Sequence, residues 1–87
     1  MNAEYIEFVQ ADLEFSTEVP GHWLERMRNE AGLSLRELSQ LSGVSYSNIW
    51  RIERGGDANV GTVLKLTNAM YLDPLPFFVL AINQLRK

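Results

Sequence analysis

Cysteine is absent from these 87 residues, so neither a disulfide framework nor a thiolate metal site can be built. Histidine occurs once, at His22 beside Trp23, so no Ser-His-acid constellation can be argued from it, and metal ligands are absent as a cluster. That histidine reads as structural or solvated. No glycine-rich phosphate loop is present, because Gly55-Gly56 closes a helical pattern and does not join a strand to a helix. No enzymatic activity, metal or cofactor is expected. Apolar runs stay well short of the roughly 18 residues a membrane span needs, and the first residues lack a basic stretch followed by an apolar one. The expectation is a soluble, cytoplasmic, single-domain protein with no membrane partner and a modest core.

Basic residues are missing from one region in particular. Residues 1–19 contain Glu4, Glu7, Asp12, Glu14 and Glu18 with no Lys or Arg, whereas residues 20–87 carry eight basic and six acidic side chains. The formal net charge of −3 therefore hides an acidic arm joined to a mildly basic domain. The same arm holds Tyr5, Ile6, Phe8, Val9, Leu13 and Phe15. Their spacing fits an amphipathic helix, while Leu13-Glu14-Phe15 alternates like a strand. So much apolar surface needs a cover, either its own domain or a second subunit or partner protein. Both readings stay open.

What is abundant is helix punctuation. Pro20 suits a first helical turn, and a helix over about 20–31 follows, with Leu24, Met27 and Ala31 inward and Gly32 at its end. Ser34 stands three residues before Glu37, the spacing of a capping box, and Leu35, Leu38 and Leu41 then recur at helical intervals. This motif helix covers about 34–42. Gly43 falls where a left-handed backbone is needed, Val44 plugs the corner, and Ser45 caps a second motif helix over about 45–54. Ile49 and Ile52 face inward on it, which leaves Tyr46, Ser47, Trp50 and Arg51 outward. The pattern is a helix-turn-helix. Asn59 caps a helix over 60–71, with Val60, Val63, Leu64, Thr67 and Met70 as its inner stripe. Asp73-Pro74 starts the last helix, about 74–86, which Phe77, Phe78, Leu80, Ala81 and Leu85 make apolar around most of its circumference. One side suits the domain and the other a second subunit.

The run from Glu30 to Gly55, with its Gly-Leu-Ser, Leu-Ser-Gly-Val-Ser and Ile-Glu-Arg-Gly segments, resembles the lambda-repressor-like, Xre/Cro-type DNA-binding domain over roughly residues 22–80. The resemblance implies an all-α, five-helix domain, here with an acidic, apolar N-terminal arm. It also implies a homodimer, double-stranded DNA as partner, and a third helix that enters the major groove. Phage Cro-like repressors, restriction-modification controller proteins and antitoxins share this fold. Mapped position by position, it places Tyr46, Ser47 and Arg51 at the base-reading places, with Trp50 on the same exposed side one turn after Tyr46, and pairs Arg28 with Glu53 as a structural salt bridge. Arg51 has the donors to bind a guanine edge twice, and Ser45, Asn48, Arg36 and Arg54 suit phosphate oxygens.

The expected role is a dimeric repressor on an inverted-repeat operator. The alternative is a protein-interaction module of antitoxin or antirepressor type, using the Tyr46/Trp50 face or residues 1–19, since exposed Tyr and Trp also mark protein interfaces. Four positions depart from the family pattern. Leu35 stands where glutamine is common, Gly56 and Asp57 where Lys or Arg is common, and Tyr71 where a helix-ending glycine is common. They imply weaker nonspecific affinity for DNA and more reliance on dimerisation.

Overall fold

The computed structural model describes residues 16–86. The arm read over residues 3–15 lies outside them. Five helices follow in order: α1 (Pro20–Glu30), α2 (Leu35–Ser42), α3 (Tyr46–Glu53), α4 (Val60–Ala69) and α5 (Leu75–Leu85). Among the described residues no strand occurs, and no helix is long and apolar enough to cross a membrane.

Local chemistry sets most of the helix starts. Ser34 Oγ accepts from the Glu37 amide at 3.0 Å, and Glu37 Oε1 accepts from the Ser34 amide at 2.9 Å, closing a reciprocal capping box. The backbone N–H of Ser34, and then its side chain, hold the Glu37 carboxyl below its ordinary value. Ser45 Oγ and Asn59 Oδ1 cap α3 and α4 in the same way. Before α5 the carboxylate of Asp73 accepts from the Leu75 amide at 2.9 Å, and Pro76 occupies the first turn. Gly43 ends α2 with φ 76°, the left-handed turn the helix-turn-helix requires.

The helices pack around one core. α1 lies against α3 and α5, and α2 against α3 and α4. Leu24, Leu38, Ile49, Ile52, Leu66 and Leu80 are fully enclosed, and Val44 fills the corner between α2 and α3. Burying a side chain of this size stabilises by about 1.5–3 kcal/mol before entropy is counted. Gly21 lets α1 approach α3 closely: a β-carbon there would stand 1.9 Å from the Ile52 carbonyl oxygen.

The structure moves several inner stripes. On α4 the buried positions are Val63, Leu66, Thr67 and Met70, a regular 3-and-4 spacing, whereas Val60 and Leu64 face outward. Thr67 is accommodated because its hydroxyl donates to the Val63 carbonyl at 2.9 Å. Ala31 is exposed past the end of α1, and Trp23, not assigned inward from the sequence, is part of the core. Leu41 is 62% exposed at the end of α2, where no further element covers it. On α5, Phe77 and Leu80 are consumed by the domain's own core and Phe78 packs partly against it. The exposed large apolar side chains of α5 are therefore Ile82 and Leu85, while Leu75, Phe78 and Ala81 are half-buried.

Tyr71 closes α4 in the left-handed region, at φ 56°, while its side chain is 97% exposed. The turn keeps the geometry a glycine would give, with Leu72 donating to the Thr67 carbonyl and Tyr71 to that of Asn68. The substitution costs backbone strain and leaves the turn's construction unchanged.

Candidate nucleic-acid interface

Helix α3 is short, and its two sides differ in kind. Ile49, Ile52 and Glu53 are buried, whereas Tyr46, Ser47, Trp50 and Arg51 all face solvent. Tyr46 and Trp50 stand one turn apart at 51% and 52% exposure. Ser47 and Arg51 form the adjoining row at the same helical spacing. The four side chains thus line one continuous stripe.

An ion pair fixes how α3 sits on the domain. Arg28 of α1 donates from Nε to Glu53 Oε2 at 2.7 Å and from Nη2 to Glu53 Oε1 at 3.0 Å, with Nη1 bonded to the Leu33 carbonyl at 2.8 Å. The hydrogen bond to Glu53 raises the arginine further above its already high ordinary value. Such a two-pronged arrangement suits guanidinium and carboxylate and holds both in one orientation. Among the described residues every buried side-chain polar atom has a partner.

The exposed cations divide into two groups. Arg26 is paired with Glu18 at 2.9 Å, and Arg54 donates to Glu25, which also lies 3.9 Å from Arg28. Arg36, Arg51, Lys65 and Arg86 carry no ion pair among the described residues. Arg51 is oriented instead by a neutral group, donating from Nη2 to Asn48 Oδ1 at 2.7 Å. Of the side chains considered for phosphate, Ser45 and Arg36 are exposed, Asn48 is half-buried against Arg51, and Arg54 is already engaged. Ser45 spends an oxygen lone pair on the cap, so its O–H remains free to donate. The first amides of α3 have no partner within the helix and add donors beside it.

Glu25 was not visible as part of this surface from the sequence. Its spacing to Arg28 is helical, but its contact with Arg54 joins residues 29 positions apart. Among the described residues no group of His, Cys, Asp or Glu has a metal-binding arrangement. A groove of about 410 Å³, whose lining includes none of the four side chains of the stripe, lies between the start of α1, the α3–α4 loop and α5, lined by Val19, Gly56, Phe77, Ala81, Gln84 and Leu85 among others. Among the described residues Asp57 is the only ionisable side chain in its lining, which suits packing better than proton chemistry.

A buried face locked to α1 and an outward stripe at a sharp α2–α3 turn define a helix-turn-helix. Comparison with known proteins agrees: residues 21–74 match the family of the helix-turn-helix domain, and the chain belongs to that family. An uncharacterized HTH-type transcriptional regulator of Methanocaldococcus jannaschii is 38% identical over 42 residues, covering 48% of this chain and 24% of the relative. The matched segment thus spans about a quarter of that protein. No solved structure matches the chain.

Proposed function

We propose that this protein is a sequence-specific DNA-binding transcription regulator that reads the major groove through α3. The outward stripe of Tyr46, Ser47, Trp50 and Arg51 carries this reading, because an α-helix fits the groove and base edges there present distinguishable donors, acceptors and methyl groups. Arg51 donates to a guanine edge, Ser47 reads an adjacent base or a bridging water, and Tyr46 and Trp50 contact thymine methyls or phosphates. Ser45, Asn48 and Arg36 hold phosphate oxygens. Arg54 joins them only when released from Glu25, which supports a weak nonspecific grip.

The finer role proposed is a cytoplasmic, dimeric repressor on an inverted repeat, with half-sites about one helical turn (~34–36 Å) apart. Leu85, 86% exposed on α5, and the groove beside it support a second copy as the cover. The resemblance to small phage repressors supports repression.

Selection from a pool of randomised duplexes tests the reading. The wild-type protein enriches a two-fold symmetric motif, and Arg51→Ala loses a preference worth about 1–3 kcal/mol at one base pair of each half-site. Arg36→Ala lowers affinity evenly across sequences and reduces the salt slope by about one unit. Failure to enrich any motif removes the proposal. A second reading, a protein-interaction module of antitoxin or antirepressor type, is favoured by one observation: Leu41, Tyr46 and Trp50 each expose more than half of their surface. Deleting residues 1–15, which leaves Glu18 and Val19 in place, preserves motif selection under the first reading. Under the second, motif selection is absent from the start and the deletion or Trp50→Ala abolishes partner binding.

A further inference from the structure

The end of α3 differs from two other helix ends of the same construction, and the difference lies under Arg51. Three helices close with a backbone bond from the second residue past the cap to the third residue from the helix end. Leu33 donates to the Arg28 carbonyl at 3.1 Å in α1, Leu72 to that of Thr67 at 2.9 Å in α4, and Gly56 to that of Arg51 at 2.9 Å in α3. The donor position commonly carries an apolar side chain that packs back toward the helix end. Leu33 and Leu72 do so, and both pack against the core. Gly56 has no side chain to contribute.

Backbone conformation does not explain the glycine. Gly32, Gly43 and Gly55 have positive φ, but Gly56 does not. Space explains it. A β-carbon at position 56 would stand 2.7 Å from Arg51 Nη1, 2.9 Å from Arg51 Cγ and 2.9 Å from the Arg51 carbonyl oxygen. Ordinary carbon contacts lie near ~3.5–4.0 Å. The stem and one arm of the guanidinium therefore occupy the volume that a side chain at 56 would fill. The other arm is held by Asn48 Oδ1, at 2.7 Å from Nη2. That bond uses one of the five donors a guanidinium offers and leaves the rest for a ligand.

We propose that Gly56 and Asn48 are positioning residues that set the base preference of Arg51. Gly56 supplies the seat for its stem, and Asn48 fixes the rotation of its guanidinium. The inference rests on the base-reading role of Arg51 proposed above and adds what makes that residue selective. A long side chain held by its neighbours loses less freedom when it docks, and it presents its donors in one direction.

The test repeats duplex selection from the randomised pool with Arg51→Ala, Gly56→Ala, Asn48→Ala and the Gly56→Ala/Arg51→Ala double variant. Preference is read at each base pair and folding by circular dichroism. Arg51→Ala loses roughly 5- to 150-fold preference at one position of the half-site. Gly56→Ala loses most of that preference at the same position and keeps the others. Asn48→Ala loses a smaller part of it, and the double variant loses no more than Arg51→Ala alone. A purely structural role would lower affinity for all sequences alike and add to the Arg51 effect. Full preference retained by Gly56→Ala overturns the proposal. Should Gly56→Ala not fold, unchanged preference in Asn48→Ala overturns it instead. If Arg51→Ala itself loses no preference, the base-reading assignment fails and this inference with it.

Discussion

Arg28 and Arg51 hold the same place in two helices: each is the third residue from the end, and each has its carbonyl capped by the amide two residues past the helix cap. Their fates are opposite. Arg28 is enclosed, with its guanidinium divided between Glu53 and the Leu33 carbonyl. Arg51 lies in solvent, leans on Asn48 and crosses the space that Gly56 leaves open. Residue type and local geometry therefore do not separate a structural arginine from one available to a ligand. The neighbours do: a carboxylate on the facing helix makes the first, and a neutral amide beside an absent side chain makes the second.

The widest separation between the two should come from stability. Glu53→Ala strips the buried Arg28 guanidinium of its two-pronged partner, leaving only the more distant Glu25 opposite it, and lowers the unfolding free energy by up to roughly 3–5 kcal/mol in urea denaturation. The Arg28→Ala/Glu53→Ala double variant loses less than the two single losses combined, since no buried charge is then orphaned. Gly21→Ala attacks the same α1–α3 contact through sterics, because its β-carbon would meet the Ile52 carbonyl. It costs about 1–3 kcal/mol or more, read as a lowered Tm.

Smaller effects belong to helix ends that touch neither arginine. Ser34→Ala removes the α2 cap and costs about 1 kcal/mol. The partner carboxyl has a folded value below its unfolded one. Its contribution is therefore complete above the ordinary value of 4.5 and disappears as the pH falls through the lowered value. Glu37→Gln should flatten that acid limb in melts recorded across the range. Tyr71→Gly has the opposite sign: it relieves a left-handed residue whose ring is in solvent and raises stability by roughly 0.5–1 kcal/mol. Smallest of all, Arg51→Ala changes stability by no more than about 0.5 kcal/mol. A loss as large as that of Glu53→Ala would erase the distinction between the two arginines.

Much of the fold was legible because its signals are local. Ser34 with Glu37, Ser45, Gly43 and Asn59 act within four residues of themselves, and the helix starts and the turn follow from them. The phase of α4 was not, since Val60 and Leu64 are apolar yet lie outside, so that apolar residues fall on both sides of the helix and blur its periodicity. In α5, apolar at nearly every position, uniformity hid that Phe77 and Leu80 serve the domain's own core. Long-range pairings were also out of reach of spacing. The Arg28–Glu53 pair was implied by family resemblance alone, and the capture of Arg54 by Glu25 had no signal. In the candidate site, the outward stripe was readable from helical spacing. The seat under Arg51 was not, because an empty volume is a property of the folded chain.

Tryptophan fluorescence offers the most direct test that the outer face of α3 meets DNA. Trp23 is 6% exposed in the core, whereas Trp50 stands in the stripe, so the two report on different regions. The protein would be titrated with its selected duplex and with a scrambled duplex of the same length, each at two salt concentrations. The account predicts a saturable change with the selected duplex that weakens as salt rises, is much smaller with the scrambled one, and vanishes in Trp50→Phe. Tight binding that leaves Trp50 unperturbed would contradict it and place the DNA on another face. Equal affinity for both duplexes would contradict sequence reading by α3.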